Sequence, residues 1–200
     1  MKFLSKHNQS SILKSGIIYK TKKDNSLLRY ALMEEQNNFC AYTEKYLEPL
    51  DSVEIEHFNP TLKDNDNYFN YYAVIRIANQ YKKDSKYQNK AVQKEGFFNS
   101  LFFQNQTTLN GRIRFVEGFY EAINIDDTEA VELIDFLGLN DNRLYEHRKQ
   151  HVKNLKVVLA DKNEMALKNY FSENKKQLSF PTAIESEFKL DLSEIISSNI

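Results

Sequence analysis

The chain has 200 residues, 41% of them hydrophobic and 28% charged, with a formal net charge of −1. That length supports one well-buried core with a smaller lobe attached, and no apolar run approaches the roughly 20 residues a membrane-spanning helix needs. The only cysteine, Cys40, excludes an intrachain disulfide and a multi-cysteine zinc ribbon.

The opening MKFLSKHNQSS lacks the apolar stretch of a secretory signal, so a cytoplasmic protein is expected. Met1 to Tyr30 holds seven Lys/Arg against the single acid Asp24, a bias that attracts phosphate backbones when it is not merely solvated. Asn25 or Ser26 caps a helix over Leu27–Gln36, where Leu28, Ala31 and Leu32 recur at helical spacing. Two short antiparallel strands are predicted next. The first lies around Tyr42 to Leu47; the second is Val53-Glu54-Ile55, with Glu56 and His57 at its end, just before Asn59-Pro60. A polar loop, Thr61 to Tyr68, leads to Asn70, which as an N-cap predicts a helix reaching about Lys83. Lysines gather again at Lys82, Lys83, Lys86, Lys90 and Lys94.

Farther on, GRIRFVEGFYEAINI predicts a strand pair. Asp126 with Glu129 makes a capping box for a helix whose buried stripe is Val131, Ile134 and Leu137, with Gly138 as its stop. Glu117 to Asp141 holds eight acids and no Lys or Arg, a candidate partner surface. Asn140 or Asp141 starts another helix on Leu144, Val152, Leu155 and Leu159. One more covers about Met165 to Lys176, and the tail KLDLSEIISSNI docks or frays. The fold class expected is α+β: a single domain over 1–200, with a strand-strand-helix core at about 38–90 and a helical part at about 120–180.

Glu56-His57 carries the chemistry. A carboxylate offers a hard oxygen ligand and an imidazole a general base; phosphodiester hydrolysis needs both kinds of help. Successive strand side chains point to opposite faces, so convergence of this pair requires a bend. Cys40 reads as a small core hydrophobe. His147 and His151 are four apart on a helix, a metal-compatible spacing, but cationic neighbours make them surface histidines. His7 carries no signal.

Cys40-Ala41-Tyr42-Thr43-Glu44, Ile55-Glu56-His57-Phe58-Asn59-Pro60, Asn70, and Ala78-Asn79-Gln80-Tyr81-Lys82 together resemble an HNH (ββα-metal) endonuclease subfamily with the pattern C-x-x-C-E, I-E-H-F-x-P, N, C-x-x-C-N-x-x-K. Its members include the nuclease of the Septu anti-phage system and retron-associated effectors. Gly111-Arg112-Ile113, Gly138-Leu139-Asn140, Leu144 and Arg148 are similar to that family's tail, so the likeness covers about Ser26 to Arg148. It implies an HNH module within a mostly helical domain. His57 would be the general base, Asn70 the residue that pins the connection and aims it, and Glu56 and Asn79 the ligands of Mg²⁺ or Mn²⁺. Lys82, with Lys83 and Lys86, would meet the nucleic acid. On a helix, Asn79 and Lys82 fall within roughly 60° of each other.

Of the four zinc cysteines of the subfamily only Cys40 stands; Thr43, Ile75 and Ala78 take the other places, so no structural zinc is expected. The resemblance further implies cleavage of DNA in preference to RNA, anti-phage defence beside an ATPase partner, and no membrane association. An RNA (tRNA)-cleaving effector and a non-catalytic regulatory or binding subunit on a degenerate HNH scaffold are the alternatives.

Overall fold

The computed structural model describes residues 1–62, 66–78, 82 and 100–197. The protein is α+β. Its elements in chain order are α1 (Ser11–Ser15), α2 (Ser26–Glu35), β1 (Val53–His57), β2 (Tyr71–Ile75), α3 (Gln106–Arg112), β3 (Ile113–Val116), β4 (Phe119–Ala122), α4 (Thr128–Phe136), α5 (Asn142–Val158), α6 (Glu164–Glu173), α7 (Pro181–Phe188) and α8 (Ser193–Ser197). Two antiparallel pairs, β1-β2 and β3-β4, form separate two-stranded sheets.

The β1-β2 pair differs from expectation. Tyr71–Ile75 is a strand, not the first turns of a helix capped by Asn70, and it pairs with Val53–His57 from Val53 opposite Ile75 to His57 opposite Tyr71. All five of its residues are buried. A strand covered on both faces presents a continuous apolar run, YYAVI here, which periodicity alone does not separate from a buried helix. A helical hydrogen bond appears only later, from the Lys82 N–H to the Ala78 carbonyl at 3.2 Å. The strand expected around Tyr42 to Leu47 is instead a turn, in which a single bridge joins Phe39 to Tyr46.

The two faces of β1-β2 meet different material. On one, Ile55, Tyr71 and Ala73 pack with Ile12, Leu28 and Leu32, so α1, α2 and the basic N-terminal segment cover it. On the other, Tyr72 and Val74 join Phe58, Phe103 and the buried side of α4, chiefly Leu133 and Phe136. A third cluster, of α5, α6, α7 and α8, takes in Phe3, Phe39, Leu190, Leu192 and Ile196; the C-terminal tail therefore docks on its own chain.

Local signals account for most helix ends. Asp127, not Asp126, caps α4, accepting from the Ala130 N–H at 3.1 Å. Gly138 (φ 60°) ends it, in the left-handed conformation that glycine adopts without penalty. Asp141 caps α5. Asn25 stands at the cap position of α2 but makes no capping bond; Asp24 accepts from the Ser26 N–H at 2.9 Å instead. Glu117 and Gly118 both have positive φ and turn β3 into β4, and Arg148 fastens that turn by donating to the Gly118 carbonyl at 2.7 Å.

Cys40 is fully buried, as a core hydrophobe should be, and Thr43, Ile75 and Ala78 are buried too. The Cys40–Lys45 turn is braced by hydrogen bonds. Ala41 donates to Ala73 of β2 at 3.1 Å, and the buried Gln36 amide bonds both N–H and C=O of Ala73 as well as the Phe39 carbonyl. Glu44 reaches α7, accepting from the Thr182 hydroxyl (2.8 Å) and backbone N–H (3.2 Å) at that helix's first turn, where a carboxylate is favoured.

Candidate active site

The site lies at the end of β1-β2 that the 58–70 connection closes. Glu56 and His57 are consecutive residues of a regularly paired strand, opposite Tyr72 and Tyr71 respectively. The bend expected to bring them together comes after them, at Phe58 and Asn59. Their side chains therefore leave on opposite faces.

His57 is buried on the N-terminal face. Its Nδ1 bonds the Asp66 carboxylate in a short contact. Asp66 also accepts from the Asn70 amide at 2.9 Å and the Tyr71 hydroxyl at 2.8 Å. A carboxylate serving three donors is acceptor-only. The neutral imidazole is thereby committed to carrying its proton on Nδ1, with its lone pair on Nε2. Nε2 is buried and has no hydrogen-bond partner among the described residues. The ring is held laterally by Tyr19 (centroids 4.6 Å apart) and Tyr71 (5.6 Å), both edge-on. Burial, and then the neighbouring Asp66, push the Tyr71 hydroxyl well above its ordinary value, so it remains a donor.

Asn70 connects this arrangement to the backbone. Its side chain accepts from the Asn59 N–H at 2.7 Å, donates to the Asn59 carbonyl at 3.0 Å, and holds Asp66. It thus pins the loop between β1 and β2 and, through Asp66, aims His57. Asp66 went unnoticed in the sequence because it sits in the polar run Lys63 to Asn67, where nothing distinguishes it from a solvated loop acid. Tyr19 was missed because it precedes the motif by nearly forty residues.

Glu56 occupies the other face with Lys82. The Lys82 ammonium makes a short ion pair with Glu56 Oε1, donates to the His57 carbonyl at 3.1 Å, and lies 5.2 Å from the centre of the Phe136 ring. Lys82, expected at the phosphate, is buried here against the residue expected to bind metal. Asn79, Lys83 and Lys86 lie outside the described residues, as do Lys90 and Lys94.

Mg²⁺ or Mn²⁺ requires oxygen ligands whose charge it can answer. Glu56 already faces an ammonium, and among the described residues no three His, Cys, Asp or Glu side chains gather into a metal-binding group. As arranged, the described residues do not fit a divalent ion, and no chemical step is derived through one. His147 and His151 both pack on Phe180, and His151 donates to the Gln177 carbonyl at 3.0 Å. Burial holds both below the ordinary imidazole value. They form no part of the site.

No helix among the described residues is long and apolar enough to cross a membrane. No family model, curated protein or solved structure matches the chain.

Proposed function

We propose that the chain is a nucleic-acid phosphodiester hydrolase of the HNH type, with His57 as its general base. The observation that carries this reading is the setting of His57: Nδ1 engaged by Asp66, Nε2 without a hydrogen-bond partner among the described residues. In hydrolysis, Nε2 takes a proton from water as the water oxygen bonds to phosphorus. The bond to the departing oxygen then breaks, that oxygen takes a proton from solvent water, and the imidazolium returns its proton to solvent. Asp66 fixes the tautomer and the ring orientation, and its charge offsets that of the imidazolium as it forms. Asn70 is a positioning residue for both. The order of the motifs from Cys40 to Lys82 supports placing this base in an HNH module, with DNA before RNA as substrate, in the cytoplasm, beside an ATPase partner.

Divalent-ion assistance at Glu56 requires that Lys82 first release the carboxylate. That pairing favours one competing reading, a non-catalytic subunit on an HNH scaffold. The full chain, incubated with plasmid DNA or RNA and Mg²⁺ or Mn²⁺, alone and with the ATPase partner, separates the two. The nuclease nicks or cleaves, and His57→Ala lowers the rate by roughly 10²–10⁴-fold at a temperature where circular dichroism shows the variant still folded. Wild-type and His57→Ala proteins that behave alike under every condition establish the non-catalytic subunit.

A further inference from the structure

Tyr19, whose ring edge meets His57, does not arrive alone. It sits in a segment, Lys14 to Asn25, that carries Lys14, Lys20, Lys22 and Lys23 against the single acid Asp24. All four lysines are exposed, and none has an ion-pair partner among the described residues. Asp24 makes no ion pair with them among the described residues, its carboxylate accepting from the Ser26 N–H (2.9 Å) and hydroxyl (2.6 Å), and the segment keeps a clear excess of positive charge.

The segment is built, not trailing. Ile12 is buried among Leu28, Leu32 and Tyr71, with Leu13, Ile17 and Tyr19 packed against them. The Lys20–Asn25 turn is locked by one side chain. Asn25 accepts from the Lys20 N–H at 2.8 Å and donates to the Lys20 and Lys23 carbonyls, each at 2.9 Å. Lys23 N–H closes onto the Lys20 carbonyl at 3.1 Å. Lys22 is held at φ 59°, a conformation a lysine adopts only where surrounding bonds impose it. The turn thus presents Lys20, Lys22 and Lys23 on a fixed loop, joined through Tyr19 to the face of β1 from which His57 projects.

We infer that the Lys20–Lys23 turn, with Tyr19, is the surface that receives the phosphate backbone of a nucleic-acid strand and lays it across His57. The inference rests on the nuclease reading of His57 for the identity of the strand. A polyanion brought to an imidazole base must have its charge matched nearby. Unpaired lysines do so by releasing condensed counterions, at a cost to side-chain freedom that a rigid turn reduces.

The experiment is fluorescence anisotropy of the full chain with a fluorescein-labelled DNA oligonucleotide and its RNA counterpart across a salt series. Wild type is compared with K20Q/K22Q/K23Q and with K149Q/K153Q/K162Q on and just after α5. The turn variant is expected to bind at least about tenfold more weakly, and its log K against log salt slope should be shallower by about 2–3, near 0.9 per lost phosphate contact. The α5 variant should retain wild-type affinity. Turn-dependent binding without cleavage by any protein rejects the nuclease reading but upholds this surface. Cleavage by wild type with a turn variant that binds and cleaves normally does the reverse. Equal weakening by the two triple variants overturns the proposal, because net charge alone then explains binding. So does turn-dependent binding to phosphatidylserine vesicles with none to either oligonucleotide, an outcome to which the exposed Ile18 would contribute.

Discussion

The two faces of β1 hold adjacent residues in opposite conditions. On one, Glu56 is matched by Lys82 beneath Phe136, an ion pair sealed into the main core. On the other, His57 is oriented by Asp66, and its Nε2 has no partner among the described residues. Two buried lysines accent the contrast, since each donates to a backbone carbonyl of the same cross-strand pair. Lys82 reaches His57 O at 3.1 Å, and Lys6 reaches Tyr71 O at 2.6 Å. Lys82 has a carboxylate in direct contact. Lys6 has Glu35 only at 3.8 Å, and leans on the Tyr68 and Tyr72 rings at 4.4 and 4.2 Å. Burial with so distant a counter-charge draws Lys6 down to about 7. The lesson is that one face seals a matched ion pair, whereas the other holds a buried imidazole by one nitrogen and leaves the second without a partner among the described residues.

The largest expected effect breaks the sealed face. Glu56→Ala strands the Lys82 ammonium in the core, and removing one partner of a buried pair costs about 3–5 kcal/mol. Urea unfolding should show that loss, whereas Glu56→Leu with Lys82→Met should recover most of it. A double variant no more stable than Glu56→Ala would show that the pair does not act as a unit.

Asp66→Asn tests the working face. The amide no longer fixes the imidazole tautomer, so hydrolysis should fall about 10²-fold, or ~2.7 kcal/mol in barrier. The loss should appear in kcat with KM little changed, while DNA binding stays intact. Loss of binding instead would mark Asp66 as a purely structural residue of the loop.

The last effect, read as a slope per pH unit, sharpens the contrast between the lysines. Lys6 is lowered in the folded chain, to about 7 from 10.5, so between those values the unfolded state binds more protons than the folded one. Stability should therefore rise with pH through that window, by at most about 1.4 kcal/mol per unit, with the full penalty of the buried charge present below about 7. Lys6→Met should flatten the slope in denaturant titrations at pH 6 to 10. A slope that survives the substitution would assign it to another group.

Much of the helical frame was legible locally. Asp141 before Leu144, Gly138 after Leu137 and the Glu117-Gly118 turn are short-range signals, and the structure uses each of them. The cap of α4 moved by a single residue, as two adjacent aspartates compete for one geometry. The β1-β2 sheet was legible only in part. Val53 to Ile55 read as a strand, which the structure extends to His57, but Tyr71 to Ile75 did not, because burial on both faces erases the alternation by which a strand is recognised.

Glu56-His57 was the dipeptide on which the candidate chemistry was placed, and sequence alone determined which residue types stood there and that Asn70 followed. Their roles were decided by tertiary structure. A strand sends neighbours to opposite faces, so which of the two stays available depends on what each face packs against. Lys82, twenty-six residues on, claims Glu56. Asp66, an unremarked loop acid, claims one nitrogen of His57, and the other has no partner among the described residues. Such contacts depend on through-space distance and on the burial that strengthens them, and neither is encoded in the spacing of residues along the chain.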